Sequence, residues 1–375
     1  MKKTRPPLSW RRKLLYGLLV TALVLGGAEA GLRRAFGPPP PPVRVYNALG
    51  EHSTYLVAKN GALDASFVNP NPPAPIPQRW DGPRCAVLGG SSVHAGTPNL
   101  RPDEEFAGLI ALKTNIPVIN LGSPGLDSFD LVQITRELAP YHWSCLVVYT
   151  AHNDFGNAFF PARYGDLASG VGARARAAFE HFQIFVQLHR LLAPVEGLPR
   201  KKMSEDGPEY PLLDETRWWA TLRYLESNLR QIVYTAKKAG IPVILVVPTN
   251  SLLEKPGDGE CEGENCATPV YEEAIKLRDS DPTKAAALLR RACDLDRVAL
   301  RAPTAAQDAT RRVALEEGAT LVDADALLPR EDGLNIPAQD LFSDGLHFSA
   351  EGHKAMAELI APYVREFGMA GPKGP

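Results

Sequence analysis

The chain has 375 residues, 45% hydrophobic and 22% charged, with a formal net charge of −2; it can bury a full core as one large α/β domain or two small ones. No block of like charge lies in its body, which excludes the basic face that nucleic-acid binding requires. Proline is abundant at 34 residues, with much of it before residue 80, and this marks an extended segment outside the core.

In chain order, Lys2, Lys3, Arg5, Arg11, Arg12 and Lys13 precede an apolar stretch from Leu14 to Leu32 that is interrupted by Glu29. At about 1.5 Å per residue this stretch crosses a bilayer. The leading cations place residues 1–13 in the cytoplasm and the body outside it, in the periplasm of a cell membrane protein with one span. Ala28-Glu29-Ala30 also has the form of a signal cleavage site. The apolar stretch is long for a removable signal, so the expectation is an uncleaved signal-anchor over 14–32. Pro38–Pro42 then reads as a polyproline spacer, and residues 33–80 as a proline-rich linker and irregular lead-in.

From Arg84 onward, short apolar runs alternate with amphipathic patterns. The runs are CAVLGG (85–90), PVINLG (117–122), CLVVYTA (145–151), PVILVVPTN (242–250) and ATLVDA (319–324). Helical patterns cover about 103–115, 126–139, 172–192, 214–239, 283–314 and 350–367, the last with Ser349 as N-cap. The alternation predicts an α/β fold: a three-layer α/β/α sandwich with a mostly parallel, flavodoxin-like sheet over residues 81–370. Residues 156–213 and 253–300 exceed what a minimal sheet needs. They read as insertions over its edge, where selectivity is often set; the second resembles one helix-turn-helix of a repeat.

Five cysteines suit an exported protein. Cys261 and Cys266 in CEGENC have the wrong spacing for a redox or zinc pair and are expected to close a small disulfide loop. Cys85 and Cys145 lie in apolar runs and are expected as inert core thiols.

Ligands of an open parallel sheet sit outside the carboxyl ends of its strands. At four such ends stand Gly90-Ser91; Asn120, Gly122, Gly125 and Ser128 in NLGSPGLDS; Asn153 in AHNDF; and Asp344 with His347 in SDGLHFSAEGH. Singly, each has an ordinary reading as a turn, a helix cap or a surface pair. Together and in this order they resemble the SGNH (GDSL-type) hydrolases over residues 84–366, and the anchored arrangement is similar to the membrane-bound bacterial members.

That resemblance implies Ser91 as nucleophile, with Ser92 as the alternative, and Asp344 and His347 as the acid–base pair. It implies an oxyanion hole from the N–H groups of Ser91 and Gly125 and the side-chain amide of Asn153. A serine hydroxyl needs a base, a histidine needs a partner to fix its tautomer, and a tetrahedral oxyanion needs fixed donors. Two positions depart from the pattern. Gly90 replaces the usual aspartate, which predicts a looser turn, and Ala151 replaces a glycine, a change expected to matter little. His94 and His152 read as polar rim residues, His353 as facing solvent or capping a neighbour, and Arg301 as a surface residue. The implied activity is hydrolysis of an O-acylated carbohydrate or lipid ester through a Ser-His-Asp triad and an acyl-enzyme, without metal or organic cofactor. An O-acyltransferase on the same scaffold and a non-catalytic envelope scaffold remain open alternatives at this point.

Overall fold

Apolar runs of four to six residues, too short for helices and buried on both sides, pair as parallel strands. The structure, a computed structural model, describes residues 9–36, 45–47, 50–52, 54–65, 75–94, 100–159, 179, 182–192, 203–204, 207–208, 213–257, 266–298 and 300–370. Its internal contacts gather two units, residues 1–42 with 168–200 and residues 43–167 with 201–375.

Besides two short antiparallel pairs, 45–47 with 50–52 and 203–204 with 207–208, the strands among the described residues are β1 (Val57–Lys59), β2 (Ala62–Asp64), β3 (Ile76–Pro77), β4 (Cys85–Gly89), β5 (Val118–Asn120), β6 (Cys145–Tyr149), β7 (Val243–Val246) and β8 (Thr320–Val322). The helices are α1 (Trp10–Phe36), α2 (Phe106–Thr114), α3 (Ser128–Leu138), α4 (His152–Gly156), α5 (Gln183–Leu192) and α6 (Glu215–Lys238). They continue as α7 (Ala267–Leu277), α8 (Pro282–Leu295), α9 (Thr304–Glu317), α10 (Ala324–Leu327) and α11 (Ala350–Ala370).

In the larger unit, five strands form one parallel sheet in the order β8-β7-β6-β4-β5. Read by sequence this is the flavodoxin arrangement, and the strand order reverses between β4 and β6. Side chains alternate between two apolar layers with the period of a strand. Ala86, Leu88, Leu146, Val148 and Leu245 pack with α3, α6 and α9, while Val87, Val147, Ile244 and Val246 pack with α2 and α11. Both faces are thereby covered, which explains why these strands read as continuous apolar runs. Ser349 accepts a hydrogen bond from Gly352 N–H at 3.1 Å and starts α11 as expected.

Three expectations are corrected. Residues 54–77, read as an irregular lead-in, include the antiparallel sheet β1-β2-β3. Tyr55, Leu56, Leu63 and Ile76 enter the α3 side of the core, and Glu137 accepts from the N–H groups of Tyr55 and Leu56 at 2.9 and 2.7 Å. The helix predicted over 283–314 is two helices, α8 and α9, separated by a strap that Pro303 ends with an extended φ/ψ of −70° and 162°. Cys85 and Cys145 are not inert thiols. They are register partners on neighbouring strands, with Cα atoms 4.9 Å apart, inside the roughly 4.4–6.8 Å that a disulfide spans, and they are bonded to each other. Cys266 is also disulfide-bonded, whereas Cys261 lies outside the described residues. Within residues 253–300, α7 packs on α8.

In the smaller unit, α1 spans 27 residues with a mean hydropathy of 1.6 over its most apolar window. It is long and apolar enough to cross a membrane. Leu14, Leu18, Leu19, Leu23 and Leu25 are exposed along it.

Candidate active site

β4 ends on two glycines because its neighbours occupy the space that side chains would fill. A Cβ on Gly89 would lie 2.2 Å from Val93 Cγ2 and 2.3 Å from Tyr149 O. One on Gly90 would lie 2.3 Å from Asn153 Nδ2 and 3.0 Å from Leu126 O. Gly90 O accepts from the N–H groups of Val93 and His94 at 3.1 and 3.3 Å. The turn is tightly packed, so the looser turn expected from Gly90 is not what forms.

Ser91 stands half-buried after this turn, and its Oγ lies 2.7 Å from His347 Nε2. Ser92 is buried and donates its hydroxyl to Leu346 O at 3.1 Å. His347 reaches Ser91 because the 343–347 loop is pinched at both ends. Phe342 and Phe348 form an antiparallel bridge, Ser343 N–H donates to His347 O at 2.9 Å, and Ser251 N–H donates to Gly345 O at 3.1 Å. Within the loop Asp344 Oδ2 lies 2.6 Å from His347 Nδ1, and Asp344 Oδ1 accepts from the N–H groups of Leu346 and His347 at 2.8 Å each. Burial works to raise the Asp344 pKa, but these bonds to the His347 side chain and the two amides outweigh it and hold the carboxyl at about 2. The carboxylate therefore fixes the imidazole with Nδ1–H toward itself and leaves Nε2 to accept from Ser91. An alcohol, an imidazole and a carboxylate in such a line can give up the alcohol's proton to the ring and stabilise the cation that forms.

Gly125 has φ +81°, a left-handed conformation that suits glycine, and nothing lies within 4 Å of where its Cβ would be. Among the described residues none accepts from the N–H of Ser91 or Gly125. Asn153 Nδ2 donates one hydrogen to Leu126 O at 2.8 Å, which leaves the other for a ligand. Ala151, just before α4, has φ +105°. The alanine is held in a conformation that the usual glycine adopts freely, so the replacement is not as neutral as expected.

Sequence reasoning missed what ties these donors together. Asp154 is buried; it accepts from Ser128 N–H at 3.2 Å and from Thr150 Oγ1 at 3.4 Å, and it also bonds Ser128 Oγ. Asn228 of α6 donates to the same Ser128 hydroxyl at 2.9 Å. Burial, and after it the neighbouring Asp127, pushes the Asp154 pKa up. Asn157 donates to Gly125 O at 2.9 Å and to Asp127 Oδ2 at 2.7 Å. The loops after β5 and β6 are thus stitched into one frame. The Asn-Asp pair in AHNDF was the only visible signal for it. Asn120 takes part on the other side, donating to Val93 O at 3.2 Å and to the Glu105 carboxylate at 2.5 Å.

The tempting residues sort differently from their sequence readings. His152 is buried, not at the rim: its Nδ1 accepts from Ala302 N–H at 3.2 Å and its Nε2 meets Tyr149 OH at 3.1 Å. Arg301 is also buried, not on the surface. It pairs with Asp296 at 3.1 Å and donates to Ser251 O and Glu254 O at 3.1 and 2.8 Å. His353 caps a neighbour, accepting from Phe106 N–H at the start of α2 at 3.1 Å. His94 is half-buried, with Nδ1 3.9 Å from the Glu105 carboxylate. Among the described residues, no group of three or more His, Cys, Asp or Glu side chains is arranged to hold a metal ion.

The model of the GDSL-like lipase/acylhydrolase family matches residues 87–355. Comparison with the curated proteins finds no match. Among solved structures, a GDSL-like lipase from Bacteroides thetaiotaomicron is 15% identical, covering 76% of this chain and 88% of its own, with a TM-score of 0.39. An acetylxylan esterase from Geobacillus stearothermophilus is 14% identical, covering 76% of this chain and 96% of its own, with a TM-score of 0.37.

Proposed function

Since the chain belongs to the GDSL-like lipase/acylhydrolase family and is a serine ester hydrolase, we propose that it is held to a membrane by α1 and cleaves O-acyl esters outside the cytoplasm with Ser91, His347 and Asp344. The observation that carries this reading is the unbroken line from Asp344 Oδ2 through His347 to Ser91 Oγ, in which both contacts are shorter than 3 Å.

In the proposed course Ser91 Oγ attacks the ester carbonyl as its proton passes to His347 Nε2. The imidazolium is stabilised by Asp344, which is ionised at any working pH. The oxyanion is held by Ser91 N–H, Gly125 N–H and the free hydrogen of Asn153 Nδ2. His347 returns the proton to the departing alcohol, then takes one from the water that releases the carboxylic acid. The substrate is an O-acylated envelope carbohydrate or lipid ester, a reading that rests on the membrane location. Support for that location comes from the six cations that precede the apolar stretch beginning at Leu14, three of them in the first turn of α1.

The test uses the full chain in detergent with a serine-directed phosphonate and a chromogenic acetyl ester. Wild type is expected to form one adduct, on Ser91, and Ser91→Ala to lose both the adduct and on the order of 10⁶-fold in kcat. A wild type that takes no adduct, or a Ser91→Ala variant that still hydrolyses the ester, refutes the assignment. Adding an acceptor glycan separates release to water from transfer to a sugar hydroxyl.

A further inference from the structure

Glu29 interrupts an otherwise apolar stretch, one turn before Arg33 and Arg34 close α1. A carboxylate at that depth is costly unless its charge and its lone pairs are matched. Here Oε1 accepts from Arg33 Nε at 2.6 Å and from Gln183 N–H at 2.9 Å, and Oε2 accepts from Ile184 N–H at 3.0 Å. Gln183 and Ile184 are the first residues of α5. The carboxylate thus satisfies two of the N–H groups that a helix leaves open at its start, where the helix dipole is positive. Its side chain is only 12% exposed. The glutamate in the A-x-A stretch is therefore a joint between the apolar helix and a segment more than 150 residues away.

What the joint holds in place is apolar. α5 reads QIFVQLHRLL, and among its described side chains Gln183 and Gln187 stand one turn apart while Ile184, Phe185 and Leu188 are apolar. Phe179, Phe182 and Leu188 are 54%, 45% and 52% exposed, and Phe179 stacks on Phe185 with ring centroids 6.1 Å apart. Large apolar side chains in such numbers beside a membrane-spanning helix, level with the arginines that close it, have the character of an interfacial helix.

We propose that α5 lies in the headgroup–acyl boundary of the outer leaflet, clamped to the uncleaved anchor by Glu29, with Phe179, Phe182 and Leu188 in contact with lipid. This rests on the membrane-anchor reading above. It also adds to it. Cleavage after Ala30 would remove the partner of the Gln183 and Ile184 amides, so the anchor is a structural part of the mature protein.

The test reconstitutes the full chain in vesicles of phosphatidylethanolamine and phosphatidylglycerol, with a photoreactive benzoylphenylalanine in turn at positions 182, 188, 23 and 234. Position 23 is in the anchor, and Tyr234 is an exposed residue of the larger unit. Lipid adducts are expected at 182 and 188, at yields near those of 23 and roughly tenfold above 234. Glu29→Gln, which keeps the shape without the charge, is expected to lower the 182 adduct severalfold while leaving that at 23 unchanged. The intact mass is expected to retain residues 1–36. Adducts of 182 to protein, whether its own chain or a second copy, overturn the inference, as does a mass showing cleavage at Ala30. Alkaline carbonate extraction separates the two readings. Release of the chain from the vesicles sinks the anchor itself, whereas retention without lipid adducts at 182 and 188 sinks only the placement of α5.

Discussion

Gly90→Ala probes the proposed oxyanion frame where the turn meets Asn153. The added methyl would stand 2.3 Å from Asn153 Nδ2 and 3.0 Å from Leu126 O, where ordinary contacts need about 3.5 Å. The Asn153 amide must therefore retreat by about 1.2 Å, and its 2.8 Å bond to Leu126 O, which aims it, breaks. Losing one such donor costs about 10²–10³-fold in kcat, or about 2.7–4 kcal/mol of transition-state stabilisation, with KM little changed. The overpacking itself destabilises the fold by about 1–3 kcal/mol. Gly90→Asp restores the family's usual residue and is expected to do worse, since a larger group meets the same obstacle. Steady-state kinetics on a chromogenic acetyl ester, with thermal unfolding as a control for folding, reads these effects. In an Asn153→Ala background the same methyl is expected to change kcat by less than about threefold, because the donor it displaces is already gone. A Gly90→Ala enzyme with kcat within about threefold of wild type, or losses that simply multiply in the double variant, would refute the reasoning.

Reduction of the Cys85–Cys145 bond, which spans 60 residues, is expected to lower stability by about 4 kcal/mol on the chain-entropy account; a thermal midpoint unmoved by dithiothreitol would contradict it. Burial, and after it the charge of His347, pushes the His152 pKa down to about 3. Between the ordinary value near 6.5 and about 3 the unfolded chain takes up a proton that the folded one refuses. Stability fully present above pH 6.5 is therefore lost as the pH falls through that window. Urea unfolding at pH 7, 5.5 and 4 should show this slope, and His152→Gln should flatten it; equal slopes would show that His152 is not its source. Arg301→Met leaves the Asp296 carboxylate buried without its partner and is expected to cost about 3–5 kcal/mol. Because Arg301 faces Ser251 and Glu254, KM for an anionic ester should stay at the wild-type value, and a rise would point to substrate contact instead.

Much of this molecule was readable in the chain because burial on both faces writes a strand as an apolar run. The five runs from Cys85 to Val322 become the five strands of the sheet, with ends shifted by at most four residues. The polar blocks at their ends come together as the order of the sheet requires. What stayed hidden depends on register and packing, which spacing does not record. Cys85 meets Cys145 only because β4 and β6 pair level with each other. Tyr55 to Ala58 form one short apolar run, and Leu63 and Ile76 stand apart from it beyond glycine, prolines and polar groups, so no period marks the small sheet. Residues 296–303 keep enough apolar spacing to extend a helix, and only Pro303 argued against it. His152 and Arg301 looked like surface chemistry because a buried polar group is recognised by its partners, and some of these, Ala302 for His152 and Ser251 for Arg301, lie 150 and 50 residues away.

The late position of His347 in the chain has a consequence for biosynthesis. Ser91 lies early in the sheet, whereas the imidazole it faces sits on a loop held by Phe342 and Phe348 and followed by α11. A nascent chain that has emerged only as far as β8 has its hydroxyl in place and no base to activate it. With Ser91 and His347 in the proposed roles, chemical competence arrives with the C-terminal residues, so a polypeptide still being synthesised stays inert toward esters.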